Sequence, residues 1–432
     1  MKFLPYIVFV QQHRIMIVLL HRRFLLRNKR CLFFLFVFSF LADATYANQT
    51  IRKDSITRHF SVSALYTNGN VTPLNSFVQG DNLLGKPIRH HQSFGIKMLW
   101  QSPGNKNWQK IYQIPYYGLG ISGSDFHNPR ELGNPISIYG ILGIPVLRMN
   151  RLEVYSEIQW GLAGLWKHYD PVSNPKNNSI GGMFTFHFGL GLNVFYPLSK
   201  KIDLGAGLAF IHFSNGALVR PNRGIDIIGP TVEVKYRFGE RPYTHKPSIT
   251  IPALPRYNDL FFMLGFGRFQ LPEQEYSSIF HNQYGLGIVY FIQLSNAIRL
   301  GFGTDLNIST GNIPVNEASL SHRFSDRLSL GLMIQPELIF DRLTLSGAMG
   351  IYALHGRFGS FKKFYQRMGI RYDLYRNISV GLNIRAICPD TMYLEPGPGE
   401  TYGRFDLFDG DFFEFSLGYK LRWKQKSKHQ GT

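Results

Sequence analysis

His212, Ser214 and Asp226 fall within fifteen residues of the chain and supply a base, a hydroxyl nucleophile and a carboxylate. Serine is a poor nucleophile at its free pKa. A histidine within hydrogen-bond reach takes its proton, and a carboxylate behind the histidine holds the ring in the required tautomer. That is the chemistry of a hydrolytic triad, and its oxyanion needs hydrogen-bond donors. The candidates are Asn215 and the backbone N–H of Gly216, the next two residues. His212 and Ser214 are two positions apart, so on a strand they share a face. A polar strand end running into a loop produces the same His-x-Ser pattern. The elements that position these residues therefore decide what the pattern is worth.

Those elements read as strands. Of the 432 residues, 44% are hydrophobic and 15% aromatic, with 43 Gly, yet mean hydropathy is only −0.11. No internal apolar run approaches the roughly 18–20 residues of a spanning helix. Alternating apolar and polar residues punctuated by Gly give this profile in transmembrane β-barrels. Strands are predicted over 58–67, 90–102, 112–122, 135–148, 151–164, 181–196, 201–213 and 226–238, then over 257–269, 281–294, 297–309, 327–339, 341–354, 361–374, 377–388 and 411–423. Connections alternate. Tight turns stand at 148–150, 197–200, 295–296 and 376–377; longer loops span 67–90, 164–180, 214–225, 310–326 and 389–410. Outer-membrane barrels place the long loops outside. The predicted fold is all-β, a transmembrane antiparallel barrel. Two tandem eight-stranded barrels are favoured over one of sixteen strands. Gly239 to Pro255 carries four prolines between the halves, and the halves end on Tyr236-Arg237-Phe238 and Leu421-Arg422-Trp423. Abundant inward Gly also points to a crowded lumen rather than a wide pore.

Strand parity sharpens the site. In strand seven Leu204, Leu208, Phe210, His212 and Ser214 share one face, and Asp203, Gly205, Gly207 and Ala209 the other. The large apolar set faces lipid, so His212 and Ser214 extend a lipid-facing row. In strand eight Val232, Val234, Tyr236 and Phe238 point out while Glu233, Lys235 and Arg237 point in. Asp226 has outward parity and Glu233 does not, which makes Asp226 the acid on the correct face. A β-bulge would break this inference. Counting strands from the periplasm puts the 214–225 loop on the extracellular side.

Residues 1–47 read as a secretory signal. A basic stretch (21–30) precedes the apolar run Cys31–Leu41, with small residues at Ala42-Asp43-Ala44 and Thr45-Tyr46-Ala47. Without them the net charge falls from +19 to +13, with 40 Lys/Arg against 27 Asp/Glu. Such a surface suits an anionic partner. For an exported barrel that partner is a phosphorylated lipid and not nucleic acid. Cys388 is the single cysteine beyond residue 47, so no intrachain disulfide is expected. The expected organisation is a signal at 1–47, a barrel at 48–238, a linker at 239–256 and a second barrel half at 257–432.

His-Phe-Ser-Asn at 212–215, Pro-Asn-x-Gly-Ile at 221–225, an acid at 226 and a strand ending Tyr-Arg-Phe together resemble the lipid A 3-O-deacylase family of outer-membrane barrels. Some relatives of that family are labelled acyloxyacyl hydrolases. The resemblance covers about residues 58–238. It implies an eight-stranded barrel with His-x-Ser at the outer rim and removal of an ester-linked 3-hydroxyacyl chain from lipid A of lipopolysaccharide. The family's acid is a Glu fourteen residues after the His; here that position is Asp226, shorter by one methylene. Arg220 and Arg223 lie in the same loop and could pair with the phosphates of such a lipid, although solvated loop charges would look alike. No second His-x-Ser occurs in the second half, where strand fifteen ends Arg385-Ala386-Ile387-Cys388. No metal or cofactor is implied. The acidic run Asp390, Glu395, Glu400, Asp406, Asp409 and Asp411 is read as a solvated loop. The rival to the esterase reading is a non-catalytic barrel, a pore or an adhesin.

Overall fold

A computed structural model describes residues 60–149, 151–216, 218–239, 254, 257–269, 280–310, 323–356, 364–387 and 412–424. The segment read as a signal, the linker apart from residues 239 and 254, and the acidic run at 390–411 lie outside these residues. Sixteen strands form. The first eight are β1 (Phe60–Val71), β2 (His90–Gln101), β3 (Tyr116–Asp125), β4 (Gly133–Arg148), β5 (Glu153–Trp166), β6 (Thr185–Pro197), β7 (Ile202–Ser214) and β8 (Ile225–Arg237). The rest are β9 (Tyr257–Phe269), β10 (His281–Gln293), β11 (Ile298–Ser309), β12 (Leu328–Phe340), β13 (Leu343–His355), β14 (Phe364–Tyr375), β15 (Ile378–Ile387) and β16 (Phe412–Lys424). Each strand lies within four residues of its expected bounds.

β1 pairs with β8, and β16 with β9, so each half closes on itself. The chain thus forms two eight-stranded antiparallel barrels instead of one of sixteen. Among the described residues, two short α-helices lie between strands: α1 (Ser76–Gln79) after β1 and α2 (Asn107–Ile111) after β2. The second lies in the nine-residue connection left between the strands predicted at 90–102 and 112–122, at the rim where the other named connections are tight turns.

Alternation along the strands decides what each barrel encloses. Outward residues such as Leu208, Val232, Val234, Phe266, Phe302 and Leu417 are exposed, as a lipid-facing belt requires. The inward rows fill the lumens. In the first barrel Lys97 bonds both Glu157 and Glu233, at 2.8 and 2.9 Å, and the Tyr116 hydroxyl donates to Glu157. In the second, Arg299 and Arg371 pair with Glu337, and Arg299 also with Asp259. Nearer its long-loop rim Arg385 reaches Asp305 and Glu414, with Arg367 alongside. Isolated charges at this depth would be prohibitive, so they are paired and hydrogen-bonded across the bore.

Beneath the long-loop rim of the first barrel the lumen is capped by an apolar plug: Phe77, Phe126, Trp166, Ile180, Phe213, Ile225 and Ile227, all nearly inaccessible. Phe213 and Ile225 are the inward neighbours of the candidate site residues. The plug therefore anchors, from inside, the strand ends that carry the site outside.

Candidate functional site

β6, β7 and β8 reach the long-loop rim side by side. β7 and β8 pair so that His212 stands directly opposite Asp226. β6 and β7 pair so that Phe186 stands opposite Ser214 and Phe188 opposite His212. Directly opposed residues of an antiparallel pair have Cβ atoms about 4.5–5.5 Å apart. The ladder register alone therefore brings the carboxylate to the imidazole, and Asp226 Oδ1 takes the hydrogen bond of His212 Nδ1. No bulge intervenes, so the parity argument holds up to the loop. A register slip of one residue would turn the whole row inward.

With the Nδ1 proton directed at Asp226, the neutral ring carries its lone pair on Nε2. His212 and Asp226 are 13% and 10% exposed, and Ser214 is buried. His212 Cε1 and Ser214 Cβ lie 3.3 and 3.6 Å from the point that a Cβ on Gly224 would occupy. Gly224 has φ +70°, a conformation that favours glycine, and its open face leaves room for both side chains.

Ser214 Oγ accepts hydrogen bonds from Asn222 Nδ2 at 2.7 Å and from Gly216 N at 3.1 Å. The hydroxyl thus faces two donors. Of the two donors expected from the residues, the Gly216 N–H is aimed at Ser214. The Asn215 side-chain amide is turned to Val219 O at 2.8 Å, and its backbone N–H donates to Asn222 Oδ1 at 2.9 Å. Asn222 therefore ties the end of β7 and the serine hydroxyl with a single buried amide. Asn222 belongs to the Pro-Asn-x-Gly segment, whose sequence alone does not mark it as a donor. Strand parity ends at Ser214, and no periodicity places a residue eight positions further along a loop.

Neighbouring loops hold this one in place. Asn75, which caps α1, donates to Gly224 O at 3.1 Å and accepts from Ser179 Oγ at 3.1 Å. The backbone N–H groups of Arg223 and Gly224 donate to Asn178 O and Ser179 O. Arg220 is half-exposed and Arg223 exposed, both on the same loop as Ser214. The described residues contain no cluster of His, Cys, Asp and Glu able to hold a metal. The arrangement is that of a hydroxyl, an oriented imidazole and two N–H donors, set on the outer wall of a barrel.

Two family models match the chain. One, described as lipid A 3-O-deacylase (PagL), covers residues 92–237; the other, described as acyloxyacyl hydrolase, C-terminal domain, covers 258–395. No curated protein sequence matches. Among solved structures the chain is similar to the outer membrane enzyme PagL, at 16% identity and a TM-score of 0.27, over 41% of this chain and 98% of that one. It is also similar to the Pseudomonas putida toluene transporter TodX, at 9% identity and a TM-score of 0.16, over 85% and 90% of the two chains. The Acinetobacter baumannii outer membrane protein Omp33 aligns at 7% identity and a TM-score of 0.14, over 85% and 98%.

Proposed function

We propose that this chain, which matches the lipid A 3-O-deacylase model over 92–237 and the acyloxyacyl hydrolase C-terminal model over 258–395, is an integral outer-membrane serine esterase that removes the 3-O-linked 3-hydroxyacyl chain of lipid A. The observation that carries this reading is the outward-facing row at the long-loop rim: His212 bonded to Asp226, with Ser214 two residues on beside two N–H donors. Lipopolysaccharide occupies the outer leaflet. A site on the outer wall at that rim meets its ester bonds without drawing the lipid from the membrane.

In the proposed reaction Ser214 Oγ attacks the ester carbonyl carbon as His212 Nε2 takes its proton. For this the hydroxyl proton must lie toward the ring, since both loop contacts leave Ser214 Oγ an acceptor and its proton free to be given. Gly216 N–H and Asn222 Nδ2 then serve the oxyanion. Collapse breaks the bond to the sugar oxygen, which leaves with the proton held by His212. Water repeats the sequence on the acyl-enzyme and releases the 3-hydroxy fatty acid. Asp226 keeps the ring oriented and stabilises the imidazolium. The acyl chain runs down the apolar outward row of Phe188, Leu190, Leu208 and Phe210, and Arg220 and Arg223 meet the lipid A phosphates. The paired charges across both lumens speak against the rival pore.

The test is mass spectrometry of lipid A from cells with and without the protein. The expected change is the loss of one 3-hydroxyacyl chain; identical spectra, with the barrel inserted, would end the proposal. Asn222→Ala is expected to lower kcat about 10²–10³-fold with little change in KM, the usual cost of one oxyanion donor. Turnover of purified lipid A in detergent measures it, and an unchanged kcat would remove Asn222 from the mechanism.

A further inference from the structure

Phe413 breaks the pattern of its own strand. On β16 the outward row continues as Phe415, Leu417 and Tyr419, which are 54%, 52% and 46% exposed. Phe413 has the same parity, yet it is 2% exposed. What covers it belongs to the first barrel. Its ring packs on Phe186 with centroids 4.0 Å apart. Phe186 is the residue opposite Ser214 in the ladder. The same ring lies against Gly216: a Cβ there would fall 2.1 Å from Phe413 Cε2. Gly216 sits at φ +58° and carries the N–H that points at Ser214 Oγ.

The contact is supported at the opposite rim. Tyr112, just after α2, stacks on Phe340 with centroids 4.2 Å apart and donates to Ala297 O at 3.3 Å. The two barrels belong to one compact unit. The second barrel thus touches the first at both rims, and at the long-loop rim it touches the site itself.

We propose that the second barrel completes the esterase site of the first, with Phe413 acting as a positioning residue that seats the Gly216 turn and so aims its N–H at the oxyanion. This rests on the esterase reading above. Phe413 touches none of the reacting atoms; it acts through Gly216. A shift of about 1 Å in a catalytic group can cost about 10²-fold in rate. Asn215 ties the turn to Val219 and Asn222, but a glycine in the left-handed region has no side chain of its own to hold it, and the aromatic ring pressed against it adds the packing that limits such a shift. The proposal also gives a role to a second half that has no His-x-Ser of its own.

The experiment uses the full chain in outer-membrane vesicles and in detergent. Phe413→Ala is expected to lower kcat for lipid A deacylation about tenfold or more with KM changed less than twofold, and to slow labelling of Ser214 by a fluorophosphonate to a similar degree. Phe413→Leu is expected to recover most of the loss. Phe415→Ala, one step along the same outward row, should match wild type. Heat-modifiable gel mobility reports whether both barrels have closed. Should Phe413→Ala fail to fold, a Phe186→Cys/Phe413→Cys pair in a Cys388→Ser background is cross-linked with a short bis-maleimide; cross-linking supports the inter-barrel contact and its failure overturns it. If Ser214→Ala abolishes activity while Phe413→Ala turns over like wild type, this proposal is wrong and the esterase reading stands. If Ser214→Ala retains activity, the esterase reading falls, and this proposal with it.

Discussion

Ser214→Ala is expected to reduce release of the 3-hydroxy fatty acid by at least about 10⁴-fold, the scale on which loss of a serine nucleophile acts in unrelated hydrolases. The residual rate would come from the donors and from substrate binding, both of which the variant keeps. The substitution removes one oxygen and leaves Asn222 Nδ2 and the Gly216 N–H without their acceptor. Losing buried partners costs about 1–3 kcal/mol. That is small beside the closed ladders of both barrels, so heat-modifiable mobility should be retained. Two measurements separate chemistry from folding. Lipid A spectra from cells carrying the variant should match those of cells lacking the protein, and a fluorophosphonate should label wild type alone. A variant that folds, is not labelled and still deacylates would remove Ser214 from the mechanism.

The legible part of this molecule is the part governed by period two. Strand bounds, outward belts and the shared face of His212, Ser214 and Asp226 all follow from alternation, because a barrel wall separates a lipid side from a packed side at every residue. The exclusion of Glu233 follows from it as well: its side chain lies in the lumen bonded to Lys97. Closure into two barrels rests on pairings between first and last strands, β1 with β8 and β9 with β16, on which strand count is silent. In the sequence, the proline-rich stretch between the halves and the aromatic strand ends are what point to it. Asn222 and Phe413 were not legible for two different reasons. Asn222 is placed by loop hydrogen bonds to Asn215 and Ser214, which have no period. Phe413 looks like any other lipid-facing aromatic of β16 until the neighbouring barrel is set against it. Helix α2 is not legible either, because a short helix between strands leaves no alternation to read.

Asp226→Asn is expected to lower kcat about 10⁴-fold while leaving the barrel and substrate binding nearly unchanged. The reason is the tautomer. As a carboxylate, Asp226 can only accept, so the proton facing it sits on His212 Nδ1 and the lone pair on Nε2. An asparagine amide can donate to Nδ1 instead. That places the proton on Nε2 and deprives Ser214 of its base. The same exchange of Asp for Asn behind a catalytic histidine costs about that factor in serine proteases. Asp226→Glu makes the complementary test. His212 and Asp226 are directly opposed across the ladder and already in close contact. An added methylene must therefore be taken up by a bent rotamer, which costs of order 0.5–1.5 kcal/mol if it leaves the staggered well. Activity should fall no more than about tenfold, since the carboxylate can still reach Nδ1. A full kcat for Asp226→Asn would show that the ring is oriented by something else. An inactive Asp226→Glu would show that the carboxylate position, and not its charge alone, is set by the register of β7 against β8.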